Sequence, residues 1–107
     1  MSSALDPSID AALAAVRAQF AAALPEKAAN VGALLARCAW DDARRAAHRL
    51  RGSAGTYGFE ALGAVAAAIE ELLLAEPAGP SEETRERVAR LASDLQAQAD
   101  VAAAERP

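Results

Sequence analysis

Apolar residues recur at intervals of three and four along almost the whole of this 107-residue chain. That spacing gathers them on one face of an α-helix, which turns about 100° per residue, and does not fit the alternation of a half-buried strand. Ile9, Leu13, Val16 and Phe20 mark a first stripe behind Asp6-Pro7, which reads as an N-cap followed by proline at the first helical position. Pro25 interrupts the stripe near Leu24 and either breaks or kinks the helix. Val31, Leu34, Leu35 and Cys38 continue the inner side to about Ala39. A further helix begins near Asp41 or Asp42 and runs to about Tyr57, with Gly58 placed to end it. Leu62, Val65, Ile69 and Leu72 or Leu73 are spaced for burial on the next helix, and residues 76–80 form the clearest loop. Ser81 caps a last helix that carries Glu82 and Glu83 in its first turn, Val88, Leu91 and Leu95 in its core stripe, and an end near Glu105.

These runs predict an all-α protein: an antiparallel four-helix bundle whose first helix is split or kinked at Pro25. Alanine supplies more than half of the 53% apolar residues, and aromatics only 4%. Such helices are thin enough to pack closely, and residues that favour strands are scarce. The length fits one domain over residues 1–107, with an ordered core from about 6 to 104. A net charge of −4 argues against a nucleic-acid partner, which favours a basic face. No apolar run approaches the roughly 20 residues that span a bilayer. The start, MSSALDPS, lacks the charged and apolar regions of a signal peptide. The single cysteine, Cys38, excludes an internal disulfide and reads as a small core residue. A cytoplasmic protein is expected, as a monomer, with a dimer through an exposed helix left open.

The chemistry concentrates in residues 46–59, around His48, the one histidine. On a helical wheel Ala43, Ala47, Leu50 and Ala54 cluster as the buried side, and His48 points 100–160° away from them. Arg44, Arg45, Arg51, Gly52 and Gly55 fall within about 60° of His48. Each glycine inside a helix costs roughly 0.5–1 kcal/mol against alanine. Two of them on one exposed face, in a chain otherwise filled with alanine, suggest a low shelf over which a partner approaches the imidazole. No acidic residue occurs from Ala43 through Phe59, so an acidic protein carries one basic patch centred on its histidine. Guanidinium groups there would stabilise a phosphoryl group, attract an acidic pocket, and disfavour imidazolium. The plainer alternatives are a solvated charged face and glycines used for helix contact.

The run His48-Arg-Leu50-Arg51-Gly52-Ser53-Ala54-Gly55, with Gly58 beyond it, resembles the signature of histidine-containing phosphotransfer (HPt) domains of bacterial two-component phosphorelays. Ala39-Trp40-Asp41, Ala46-Ala47 and the later Leu62…Ile69-Glu70 fit the same pattern, which is strong from about Trp40 to Leu73. The resemblance implies a four-helix bundle in which His48 carries phosphate on Nε2 and Arg51 stabilises it. Arg51 stands where the family most often has lysine. Arg44, Arg45, Gly52 and Gly55 would then meet the partner. Partners implied are response-regulator receiver domains and a hybrid histidine kinase. Mg²⁺ and most catalytic groups would belong to the receiver, leaving this chain a carrier with no cofactor of its own rather than an enzyme.

Other chemistries fit less well. One histidine and one cysteine, with no carboxylate at ligand spacing on the His48 face, argue against a metal site. Ser53 lies toward the opposite side of its helix from His48, which argues against a hydrolase pair. A kinase dimerisation domain usually has an acidic residue directly after its histidine, where this chain has Arg49. The rival from another class is a docking bundle that binds a receiver or kinase and leaves His48 unphosphorylated.

Overall fold

The computed structural model describes residues 6–105. The MSSAL start and residues 106–107, counted within the expected single domain, lie outside the described residues. Four helices follow one another: α1 (Pro7–Ala36), α2 (Trp40–Thr56), α3 (Glu60–Ala75) and α4 (Glu82–Ala104), with no strand among the described residues. Three short connections reverse the chain each time. α1 packs on α2 and α4, and α3 packs on α2 and α4, closing an antiparallel four-helix bundle.

Each helix begins and ends for local reasons. Asp6 accepts the Ser8 N–H at 2.8 Å and caps α1, with Pro7 in the first turn. Ser81 Oγ accepts the Thr84 N–H at 3.2 Å and caps α4. The preceding loop is tied down by Glu76, whose carboxylate accepts from the Thr84 hydroxyl and the Ser81 N–H. Those two donors, Thr84 first, hold the Glu76 carboxyl below its ordinary range. The clamp is therefore complete at neutral pH and is lost as pH falls through the lowered value. α2 ends where Gly58 takes φ +81°, and the Phe59 N–H turns back to the Ala54 carbonyl at 2.8 Å.

The core is narrow, as an alanine-rich chain requires. Leu24, Val31, Ile69, Val88 and Leu95 are its largest fully buried side chains, and Ala28, Ala43, Ala47, Ala54, Ala66 and Ala99 fill the space between them. At one end Phe20 stacks on Tyr57 with ring centroids 4.6 Å apart and approaches Phe59 at 5.7 Å. Arg17 closes this end: its guanidinium lies 4.2 Å from the Phe59 ring centroid, and its Nε donates to the Tyr57 carbonyl at 2.9 Å. At the other end Trp40 opens α2 with Arg85 over its ring.

Three expectations are corrected. The first helix is not split at Pro25: α1 runs unbroken through it for 30 residues. An internal proline costs about 3 kcal/mol or more. Burial of Leu24 and Val31 on either side contributes about 1.5–3 kcal/mol each and offsets that cost. The Pro25 carbonyl also accepts from Gln96 Nε2 on α4 at 3.1 Å. Next, Ile9, Leu13 and Val16 are not core residues: they are 48%, 54% and 42% exposed. At 1.5 Å per residue α1 is about 45 Å long against about 26 Å for the 17-residue α2, so its N-terminal part projects past the bundle.

Finally, Cys38 is exposed rather than buried. α1 stops at Ala36, and Cys38 sits just past it with φ +59°, its N–H on the Leu35 carbonyl and the Ala39 N–H on the Leu34 carbonyl. This left-handed position past a helix end usually holds glycine. A side chain there costs about 1–2 kcal/mol, and glycine's extra freedom in the unfolded chain returns roughly 0.5–1 kcal/mol of that. Cys38→Gly is therefore expected to raise unfolding stability by about 0.5–1 kcal/mol, read as a higher urea midpoint at unchanged slope.

Candidate functional site

α2 presents His48 to solvent because its buried side is fixed by Ala43, Ala46, Ala47, Leu50 and Ala54, all under 9% exposed. The imidazole side chain is 67% exposed. Behind it α3 comes close. A Cβ on Gly63 would stand 3.4 Å from Ala54 Cβ and 3.6 Å from the Arg51 carbonyl, so the smallest residues sit where α2 and α3 approach. Further along the same contact lies Glu70, a buried carboxylate on the core side of α3 beside Ile69 and Leu73.

Glu70 is the centre of the site. Its Oε2 lies 2.7 Å from His48 Nδ1, and its Oε1 accepts from Arg51 Nη1 at 3.2 Å. Arg51 also reaches toward Glu71, at 3.9 Å. A buried carboxylate is tolerated only when its oxygens are satisfied, and here each oxygen has a partner. The pairing also fixes the ring. A carboxylate accepts hydrogen bonds and donates none, so a neutral imidazole paired with it carries its hydrogen on Nδ1. Nε2 is then left with a lone pair directed away from α3.

The open side matches the glycine reading. Gly52 and Gly55 are exposed, and a Cβ built on either meets nothing within 4 Å. Neither glycine is needed for helix packing. A shallow open hollow is lined by His48, Arg49, Gly52, Ser53, Thr56 and Tyr57, while Gly55 lies outside it. Ser53 lines the edge of this hollow and also the neighbouring cleft with Lys27 and Asn30 of α1. No hydrogen bond joins its hydroxyl to His48.

The basic patch is narrower than the sequence suggests. Arg44 and Arg45 both turn back to Asp41, each at 2.9 Å, one on each carboxylate oxygen. Asp41 lies one turn before them, outside the acid-free stretch. Arg51 is held by Glu70. Arg49 makes no ion pair among the described residues, and it lines both the His48 hollow and a neighbouring cleft with Lys27 of α1. Sequence reasoning passed over Glu70 and Arg49 as site residues. The signal for Glu70 was present: an acid within the apolar stripe Leu62, Ile69, Leu73 has to be buried with a partner.

The bundle thus offers one exposed imidazole, held from behind by Glu70 and open in front. A family model, the Hpt domain, matches residues 15–105, and the chain belongs to that family. Hpt domains are phosphocarrier modules of phosphorelays, working by histidine phosphotransfer with receiver domains and kinases. Neither the curated proteins nor the solved structures gave a match to the chain. Among the described residues no helix is long and apolar enough to cross a membrane.

The Glu70 contact has a direct spectroscopic consequence. At alkaline pH the neutral His48 ring is expected to be mainly the Nδ1–H tautomer in ¹⁵N-detected NMR. Glu70→Ala should return it toward the Nε2–H form. A wild-type ring already dominated by Nε2–H would show that Glu70 does not set the proton.

Proposed function

We propose that His48 is the phosphoacceptor of a phosphorelay intermediate. His48 Nε2 attacks the phosphorus of a receiver's aspartyl phosphate. The N–P bond forms as the acyl P–O bond breaks, and the aspartate leaves as carboxylate. A second receiver reverses the exchange: its aspartate attacks, and His48 Nε2 is released with its lone pair. The observation that carries this reading is the contact between Glu70 and Nδ1, because it leaves Nε2 as the nucleophile on the open face.

The remaining residues receive roles from their positions. Arg51, anchored on Glu70, supplies positive charge beside the ring for the transferred phosphoryl group. Arginine keeps its charge throughout and presents a planar fork suited to phosphoryl oxygens. Gly52 leaves room for the receiver's pocket, while Gly55, Arg44 and Arg45 belong to the surface around it. Phosphoryl transfer depends chiefly on positioning and charge stabilisation, and Mg²⁺ in the receiver provides most of the latter. This chain therefore acts as a substrate-like carrier for its partner, with no cofactor of its own. The upstream donor is a receiver domain, including one borne by a hybrid histidine kinase.

Incubation with a phosphorylated cognate receiver tests the reading. Wild type is expected to gain an acid-labile label, and His48→Gln to gain none while keeping its helical circular dichroism, since an exposed side chain contributes little to packing. Acid-labile labelling of the variant would refute the assignment, and receiver binding without labelling of wild type would favour a docking module.

Gly52→Gln is expected to slow transfer roughly ten- to hundredfold by holding the receiver off the ring. The same change should stabilise the bundle by about 0.5–1 kcal/mol, because the site is open and α-helical. Unchanged transfer by the folded variant would remove the role given to the shelf.

A further inference from the structure

The N-terminal part of α1 leaves the bundle as a helical arm with its apolar stripe uncovered. Residues 7–19 are all exposed, a length of about 20 Å. Along it Ile9, Leu13 and Val16, with half-buried Phe20 at the base, follow spacings of four, three and four. That repeat is the one by which two helices bury a shared seam. The family match begins only at residue 15, so most of the arm precedes what the Hpt bundle itself requires.

The charges beside the stripe indicate what covers it. Asp10 and Arg17 each follow a stripe residue directly, Ile9 and Val16, and lie seven apart on the same flank. Neither makes an ion pair among the described residues. Arg17 is nevertheless fixed in place through its Nε on the Tyr57 carbonyl and its ring contact with Phe59. A two-fold axis perpendicular to two antiparallel helices sets one flank of an arm against the same flank of its mate, with the ends reversed. Asp10 of each copy then faces Arg17 of the other, giving two ion pairs.

The centre of that charge pair falls one residue, about 1.5 Å, from the centre of the Ile9–Phe20 stripe, so seam and charges call for the same register. A parallel pairing would instead turn this flank toward the opposite flank of the mate, setting Arg17 beside Ala12 and giving no Asp10–Arg17 pair. In the antiparallel arrangement each arm tip reaches the other copy's bundle end. An open hollow waits there between Arg17, Phe59, Leu62 and Val101, the last 58% exposed.

We propose that this chain forms an antiparallel two-fold dimer through the projecting halves of α1, with the tip of each arm seated on the end of the other bundle. The interface leaves the proposed phosphoacceptor free. Tyr57 marks the arm's base, and His48 lies nine residues, about 13 Å, back along α2. The proposal stands on the arm alone and does not depend on phosphotransfer. It departs from the expected monomer and takes up the alternative left open there, a dimer through an exposed helix.

Sedimentation of the full chain over rising concentration tests it. Wild type should move from the 11.0 kDa of one chain toward about twice that mass. Leu13→Glu/Val16→Glu should stay at the mass of one chain with unchanged helicity. Asp10→Arg should raise the dimer Kd a few-fold at low salt, and adding Arg17→Asp should recover part of the loss. Wild type remaining a single chain at every concentration would overturn the proposal, as would dimerisation of the double glutamate variant. An Asp10→Arg dimer as tight as wild type would overturn the antiparallel register.

Discussion

The close approach of α2 and α3 is the constraint on which the site depends. Ala47 and Ala54 on one helix and Gly63 and Ala66 on the other leave little between the two backbones. Glu70 therefore lies within hydrogen-bond reach of both His48 and Arg51, residues three apart on the facing helix. Wider helices would leave the carboxylate buried without partners, at a cost of several kcal/mol. The same packing that makes the core thin makes the acid tolerable, and the acid in turn orients the ring.

That arrangement divides the histidine into two ends. Nδ1 belongs to the fold, because the group holding it is buried in α3. Nε2 faces an open hollow whose floor at Gly52 carries no side chain. Around it the free positive charge is less than a count of arginines implies, since Asp41 engages Arg44 and Arg45 and Glu70 engages Arg51. Arg51 is thus a charge with a fixed address beside the ring rather than one member of a diffuse patch.

The ends of the molecule differ in how they are finished. Near Trp40 the bundle is closed by Arg85 and by the Glu76–Ser81–Thr84 clamp, which uses up the polar groups of the loop. At the Tyr57 end, Arg17 and three aromatic rings close the core, but α1 continues past them with an apolar face. Among the described residues of one copy, that helix stripe has no partner. Helical periodicity says that a face is apolar; it does not say whether the chain itself supplies the cover.

Much of this was legible in the residues. The three- and four-residue spacing determined an all-α chain, the caps at Asp6 and Ser81 and the stop at Gly58 followed from local chemistry, and the inner face of α2 was set by its alanines and Leu50. The run around His48 carried the family resemblance that the Hpt match bears out. Local sequence could not decide whether α1 survives Pro25, because the answer rests on burial of Leu24 and Val31 against other helices. It misplaced Cys38 because the helix ends two residues before it, in a turn whose hydrogen bonds outweigh the preference for glycine. It left the partner of His48 Nδ1 open because Glu70 lies 22 residues away in the chain. Periodicity is a property of one helix and can be read from its own residues; a pairing across helices exists only once packing has fixed their register.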